Sequence, residues 1–148
     1  MLIPNAASLV AALCLATTAF VVSLQVMELF PYRRDFGLFI YINVIIGTIV
    51  GWHVMGRRIG RGRRAGLANG FTGVLTMVFW GLFVQGAYEM FQRALLRRYD
   101  DWLTALFAIF EIGVEYAWMM ARPDILIVLL ASAVVTGLLC EYVSTVWR

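Results

Sequence analysis

The residues most able to do chemistry in this sequence are two glutamates, Glu111 and Glu115, which lie in an otherwise apolar stretch. A spacing of four places both carboxylates on one face of a helix. Two carboxylates that lie close together in a low-dielectric environment repel each other, so one of them can retain a proton. Such a pair can relay protons or bind a cation within a membrane. The alternative is a solvated face that is salt-bridged to Arg93 or Arg97.

Three further acidic residues lie near the ends of apolar runs. Glu89 is a third candidate for a polar or proton-binding role, although it precedes Arg93 by four residues, the favourable order for an ion pair along a helix. Glu28 and Glu141 lie near span ends, and we expect both carboxylates to reach the membrane interface.

A second group of candidates is cationic and surrounds the only histidine. All twelve Lys or Arg residues of the chain are arginine, and five of them fall within residues 57–64. Histidine and arginine together can contact an anion or a lipid head group through charge-assisted hydrogen bonds. The alternative is that the arginines only mark a cytoplasmic loop. The members of this group are His53, Arg57, Arg58, Arg61, Arg63 and Arg64.

Motifs typical of enzymes and metal sites are missing from the sequence. Cys14 and Cys140 lie inside apolar runs and form no zinc or disulfide pattern. We expect both to behave as small apolar residues, and in a four-span arrangement they lie at similar depth and can meet. No hydrolase or nucleotide-binding motif occurs. We predict a protein that is not an enzyme, holds no metal or cofactor and binds no nucleic acid.

The composition identifies the solvent that surrounds the elements carrying these residues. Of 148 residues, 62% are hydrophobic and 14% are charged, whereas about a quarter of a typical soluble domain is charged. So short a chain cannot hide this much apolar surface in a water-soluble core. The predicted fold class is therefore an all-α integral membrane helical bundle.

Four apolar runs are long enough to cross a bilayer, which takes about 20 residues. They cover residues 6–27, 36–55, 67–90 and 125–147, within a single membrane domain of residues 1–148. A fifth segment, residues 102–121, carries a narrow polar stripe on an apolar helix. We expect it to be an amphipathic interfacial or re-entrant helix, and the alternative is a fifth transmembrane helix whose stripe faces its neighbours.

The distribution of arginine predicts the orientation. Because arginines of short loops stay cytoplasmic, we place residues 56–66 and the N-terminus in the cytoplasm. Four spans then leave the C-terminus in the cytoplasm, whereas five spans leave it outside.

Small residues at helical spacing predict close contact between helix backbones, which drives packing in lipid. Packing within one bundle is the main interpretation, and homodimerisation is the alternative. We expect Asn43 and Asn69 to form hydrogen bonds across helices. The predicted packing residues are Gly47, Gly51, Gly66, Gly70, Gly73, Asn43 and Asn69.

Several strings resemble a known family when they are taken together. They are Asn43-x-x-x-Gly47-x-x-x-Gly51-Trp52, Val54-Met55-Gly56-Arg57-Arg58-x-Gly60-Arg61-Gly62, Asn69-Gly70-x-Thr72-Gly73, Phe79-Trp80, Arg97-Arg98-Tyr99-Asp100 and Phe110-Glu111-x-x-x-Glu115-Tyr116. Nearly end to end, the chain resembles the TrgA family of small membrane proteins of alphaproteobacteria. The resemblance implies a bacterial inner-membrane protein associated with tellurite resistance, and it implies no reaction and no catalytic residue.

Three classes of mechanism follow from these residues. A proton-coupled small transporter needs a polar path, which Glu111, Glu115, Gln85, Asn43 and Asn69 are the candidates to line. An accessory or assembly subunit of a respiratory or photosynthetic complex needs only packing surfaces. A thiol-dependent reductase is disfavoured, since the two cysteines are isolated. The expected partners are anionic lipid head groups at the arginine loop, and a homo-oligomer or a membrane-complex partner is an option.

Overall fold

The described part of the chain, residues 6–29, 38–97 and 99–147 of a computed structural model, consists of helices and short connections and contains no strand. The prediction of an all-helical bundle is confirmed. Lipid offers no hydrogen bonds to the backbone, so each apolar run closes its backbone hydrogen bonds within itself and becomes a helix. The helices are α1 (Ala6–Glu28), α2 (Phe39–Val50), α3 (Arg63–Leu95), α4 (Trp102–Met120) and α5 (Pro123–Val146).

The second predicted span does not end as a regular α-helix. After α2 the chain makes a π-helical turn, Gly51–Met55, and then a 3-10 turn, Gly56–Arg58. Residues 36 and 37 of that span lie outside the described residues. The third span is longer than predicted because α3 begins at Arg63. Its 33 residues are about 50 Å long at 1.5 Å per residue, which exceeds the roughly 30 Å of a hydrocarbon core.

Helices α1, α2 and α3 run in alternating directions, and their contacts fix the level of each residue along the bundle. A Cβ added to Gly47 would lie 2.7 Å from the backbone oxygen of Leu15, and one added to Gly51 would lie 2.6 Å from that of Ala11. Asn43 contacts Ser23 near the other end of α1. We call the end that holds residues 56–62 the loop end and the opposite end the far end.

Helix α5 returns to the loop end. Near its C-terminus, Glu141 accepts hydrogen bonds from the backbone of Gly60 and Gly62. Near its N-terminus, Ile125 packs against Val22 and Val26, which lie at the far end of α1. The end of α5 therefore lies beside the arginine loop.

Helix α4 pairs with the far half of α3. A Cβ added to Gly86 of α3 would lie 2.7 Å from the backbone oxygen of Ile109, and Met120 shares a hollow with Val78. Thus α4 and α5 follow each other along α3 in the same direction. They are separated by a break where Pro123 begins α5 and Arg122 lies 3.5 Å from Asp124.

The described structure has five helices that are long and apolar enough to cross a membrane, judged by length and composition. Helices α4 and α5 both run antiparallel to α3, α4 along its far half and α5 along its half nearer the loop end. Helix α4 lies at the far end, beside the part of α3 that extends past its neighbours. The choice between four spans with an interfacial or re-entrant α4 and five spans stays a prediction.

The core lies where α1, α2, α3 and α5 meet. Leu15, Met55 and Cys140 are fully buried there, together with smaller residues such as Ala11 and Ala133. Many other large apolar side chains lie exposed on the outside of the bundle. Such an apolar exterior suits hydrocarbon as the surrounding solvent.

Candidate functional site

The loop end contains a buried carboxylate that holds the backbone of the arginine loop. Glu141 is only 6% exposed. Its Oε1 accepts the N–H of Gly60 at 3.0 Å, and its Oε2 accepts the N–H of Gly62 at 3.4 Å. Both glycines have positive φ, 94° and 102°, a conformation that residues with a Cβ seldom adopt. The backbone of the loop therefore covers the carboxylate of Glu141, and the expectation that this carboxylate reaches the membrane interface stays a prediction.

The predicted cationic residues surround this carboxylate and point outward. All five arginines are exposed, and within residues 6–29, 38–97 and 99–147 none forms an ion pair. His53 is also exposed on the π-helical turn, with Nδ1 3.3 Å from the backbone oxygen of Ile49. The members of this surface, which we call the arginine collar, are Arg57, Arg58, Arg61, Arg63 and Arg64.

A chain of hydrogen bonds links three helices at the far end. The Nδ2 of Asn43 donates to the Oγ of Ser23 at 2.9 Å, and the Nε2 of Gln85 donates to the Oδ1 of Asn43 at 3.2 Å. Ser23 in turn donates to the backbone oxygen of Ala19. Gln85 also lies 3.3 Å from the backbone oxygen of Phe39. This polar chain ties α1, α2 and α3 together.

The polar chain borders a cavity of about 60 Å³ that is otherwise apolar. A buried water needs roughly 10–15 Å³ of such space together with polar partners, so the cavity can hold a few waters. It lies in the far half, with Tyr116 and Met120 of α4 at its edge. Toward the loop end, the buried side chains of Leu15, Met55 and Val74 close the bundle. No polar path crosses the described part of the protein.

The acidic pair lies outside this cavity. Glu111 and Glu115 are exposed on α4, whose packed face holds Ala108, Ile109 and Ile112. Glu89 is half-buried on α3, and its Oε1 lies 3.4 Å from the Nε of Arg93. The three candidate proton-binding residues therefore do not line a common path.

Helix α4 has three distinct faces. One packs against the bundle, and one carries the exposed acidic pair with Thr104. Between them lies an exposed apolar face that includes Leu106, Phe107, Phe110 and Val114. An apolar face beside a polar face is typical of a helix at a membrane interface.

The predicted glycines lie at contacts within the chain. Gly47 and Gly51 face α1, whereas Gly66 and Gly70 face Gly137 and Ala133 of α5. The remaining two packing residues surround the end of the π-helical turn. Gly73 contacts the side chain of Met55, and the Nδ2 of Asn69 donates to the backbone oxygen of Met55 at 3.1 Å. The Oδ1 of Asn69 is buried and has no hydrogen-bond partner among the residues that the structure describes.

The two cysteines lie near each other although they are 126 positions apart. Cys140 is buried in the core, Cys14 is half-buried on α1, and both are free. Cys14 lies near Thr136, which is one turn before Cys140 on α5. Within the described residues, no group of three or more His, Cys, Asp or Glu side chains is placed to hold a metal ion.

Sequence reasoning missed the role of Glu141. The available signal was a single glutamate in an otherwise apolar run, together with a loop in which glycine and arginine alternate. A buried charge requires partners, and a glycine-rich loop can offer backbone N–H groups. The loop lies 81 positions before Glu141 in the chain, so nothing local connects the two.

Comparison with protein-family models, with curated proteins and with solved structures finds no match to this chain. The class of protein follows from the fold. It is a multi-pass α-helical membrane protein with a cationic collar at one end and an acidic stripe on a helix at the other.

Proposed function

We propose that this chain is a non-enzymatic protein of the bacterial inner membrane that supports tellurite resistance as an accessory subunit of a larger membrane complex. The link to tellurite rests on the resemblance of its sequence strings to the TrgA family. The accessory role rests on the geometry. Ser23, Asn43 and Gln85 are hydrogen-bonded to one another inside the bundle, while α4 presents an exposed apolar face to its surroundings.

The single observation that carries the accessory role is the closed core of the bundle. Helices α3 and α5 are in backbone contact at Gly66 and Gly70. The chain of polar side chains that joins α1, α2 and α3 stops at Ser23. A transporter needs a polar route between the two ends, and the described residues offer none. A subunit that packs against other membrane proteins needs no such route.

The first test is deletion of the gene, followed by purification of the complemented protein. Deletion is expected to lower the tellurite concentration that the source bacterium tolerates by about tenfold, and the wild-type gene should restore it. Gentle detergent extraction from the native membrane is expected to yield a particle larger than the 16.7 kDa chain with its detergent. Unchanged tolerance on deletion, or recovery of the chain with no partner, would refute the corresponding part of the proposal.

The second prediction separates an accessory subunit from a proton-coupled transporter. The double change Glu111→Gln/Glu115→Gln removes both ionisable groups from the exposed stripe and creates no cavity. We expect tellurite tolerance to stay within about twofold of wild type, because neither carboxylate lines a path through the bundle. Tolerance is measured at matched protein levels, with Glu28→Gln as a control change of an exposed carboxylate. Loss of tolerance at a normal protein level would instead favour proton coupling.

A further inference from the structure

The arginine loop is built so that its backbone is held from inside the bundle. Ile59 is extended, with φ −75° and ψ 149°, and Gly60 and Gly62 follow at positive φ before α3 begins. A Cβ added to either glycine would meet nothing within 4 Å. The glycines are therefore required by the backbone conformation and not by crowding.

Glu141 is the group that holds this conformation. Each of its carboxylate oxygens takes one backbone N–H of the loop. The Cγ of Glu141 packs so closely against α3 at Gly66 that a Cβ on this glycine would overlap it. The α3 backbone therefore confines the Glu141 side chain. The carboxylate arrives from α5, a rigid element in the same bundle, and so the loop conformation is tied to helix packing.

This use of Glu141 leaves the collar without a neutralising partner. Every other acidic residue whose structure is described belongs to the far end, to α4 or to the connection before it. Glu141 itself bonds backbone N–H groups instead of a guanidinium. Among the described residues, the loop end therefore presents five exposed arginines and one buried carboxylate, a local field that attracts anions.

The position of the collar indicates which anion it meets. Helix α1 begins and helix α5 ends at the loop end. Trp147, which follows α5, is 71% exposed. Tryptophan concentrates where the hydrocarbon meets the head groups. Phosphates of the lipid leaflet lie at this level all round the protein, and the guanidinium fork matches phosphate oxygens in a bidentate geometry.

We propose that the arginine collar binds the phosphate of anionic phospholipids such as phosphatidylglycerol. Glu141 is the positioning residue, because it holds the loop backbone in the conformation that exposes the arginines. The proposal does not depend on the role in tellurite resistance. Glu141 acts through the Gly60 and Gly62 backbone and does not itself touch the lipid.

The test is native mass spectrometry of the detergent-purified chain, titrated with short-chain phosphatidylglycerol or with phosphatidylcholine of the same acyl length. The wild-type protein is expected to bind phosphatidylglycerol at a lipid concentration about tenfold lower than it needs to bind phosphatidylcholine. The triple change Arg61→Gln/Arg63→Gln/Arg64→Gln should remove most of that preference. The matched control, Arg93→Gln/Arg97→Gln/Arg122→Gln, removes three charges elsewhere and should keep it. Equal loss in both variants, or no preference in wild type, would overturn the lipid site.

Glu141→Gln tests the positioning role, because it keeps every arginine and changes one oxygen to a donor that opposes a backbone N–H. We expect the phosphatidylglycerol preference to fall by about three- to tenfold while the Tm in lipid-free detergent changes little. Glu141→Asp, which keeps the carboxylate, should recover part of the preference. A lowered Tm with an unaltered lipid preference would assign Glu141 a purely structural role and refute the positioning claim.

Free phosphate is the alternative source of the same chemistry. Inorganic phosphate at about tenfold molar excess over lipid is expected to leave bound phosphatidylglycerol in place, because a free anion gains no contact with the apolar exterior of the bundle. Displacement at that excess would show that the collar takes soluble anions, and it would overturn the assignment to a lipid.

Discussion

Replacing Gly70 by alanine is expected to destabilise the folded bundle strongly. The added Cβ would overlap the backbone oxygen of Ala133 and lie 3.1 Å from the Cα of Gly137. These atoms belong to helix backbone, so relief requires α3 and α5 to move apart. Overpacking of this kind costs roughly 1–3 kcal/mol and occasionally more. The measurement is the free energy of unfolding in a detergent titration, together with the yield of monodisperse protein.

The matched control is the same substitution at Gly81, on the same helix. There the added Cβ would lie 3.7 Å from the Oδ1 of Asn43, an ordinary contact. Alanine also favours the helix over glycine by about 0.5–1 kcal/mol, so Gly81→Ala should be neutral or stabilising. If both variants were equally stable, the close α3–α5 contact would be wrong. If Gly70→Ala folded normally but lost a dimer, the glycines would serve homodimerisation.

We predict that the arginine loop and the end of α5 lie on the same side of the membrane, and that residue 99 lies on the other side. Single cysteines replace Arg61, Tyr99 and Trp147 in a Cys14→Ser/Cys140→Ser background. We expect residue 99 to react with a membrane-impermeant maleimide in intact spheroplasts, and residues 61 and 147 to react only after permeabilisation. The reason is that Glu141 contacts Gly60 and Gly62, so the end of α5 must lie on the same side as the arginine loop.

The labelling of residue 147 distinguishes four crossings from five, because the two arrangements place this residue on opposite sides of the membrane. Five crossings would place residue 147 on the same side as residue 99, opposite residue 61. The serine background is itself expected to accumulate normally, since the two free thiols pack as small apolar side chains. Its yield and its tellurite tolerance are the controls for the labelling results.

The elements that sequence reasoning predicted well are those that depend on local composition. The apolar runs become helices close to their predicted bounds, from α1 to α5. The break at residues 122–124 also follows locally, since Pro123 suits the first turn of a helix. The main local error is the length of α3, whose helix extends into Arg63 and Arg64 at one end and to Leu95 at the other.

The candidate site was predicted less completely because its parts come from distant segments. The arginines were evident from their density in the sequence, yet the carboxylate beneath them was not. The polar chain of Ser23, Asn43 and Gln85 likewise joins three helices, and Ser23 carries no motif. Glu111 and Glu115 were predicted as candidates from their spacing of four, and in the structure both lie exposed on an outer face of α4.

Sequence by itself determined the solvent and the secondary structure of this protein. In hydrocarbon, a backbone must satisfy its own hydrogen bonds, so apolar runs of this length can only become helices. Tertiary structure alone decided that α4 and α5 share one return along α3 and that Glu141 lies beneath the arginine loop. Those outcomes depend on which residues of different helices reach the same level, and that level is set by the close backbone contacts at Gly47, Gly66 and Gly70.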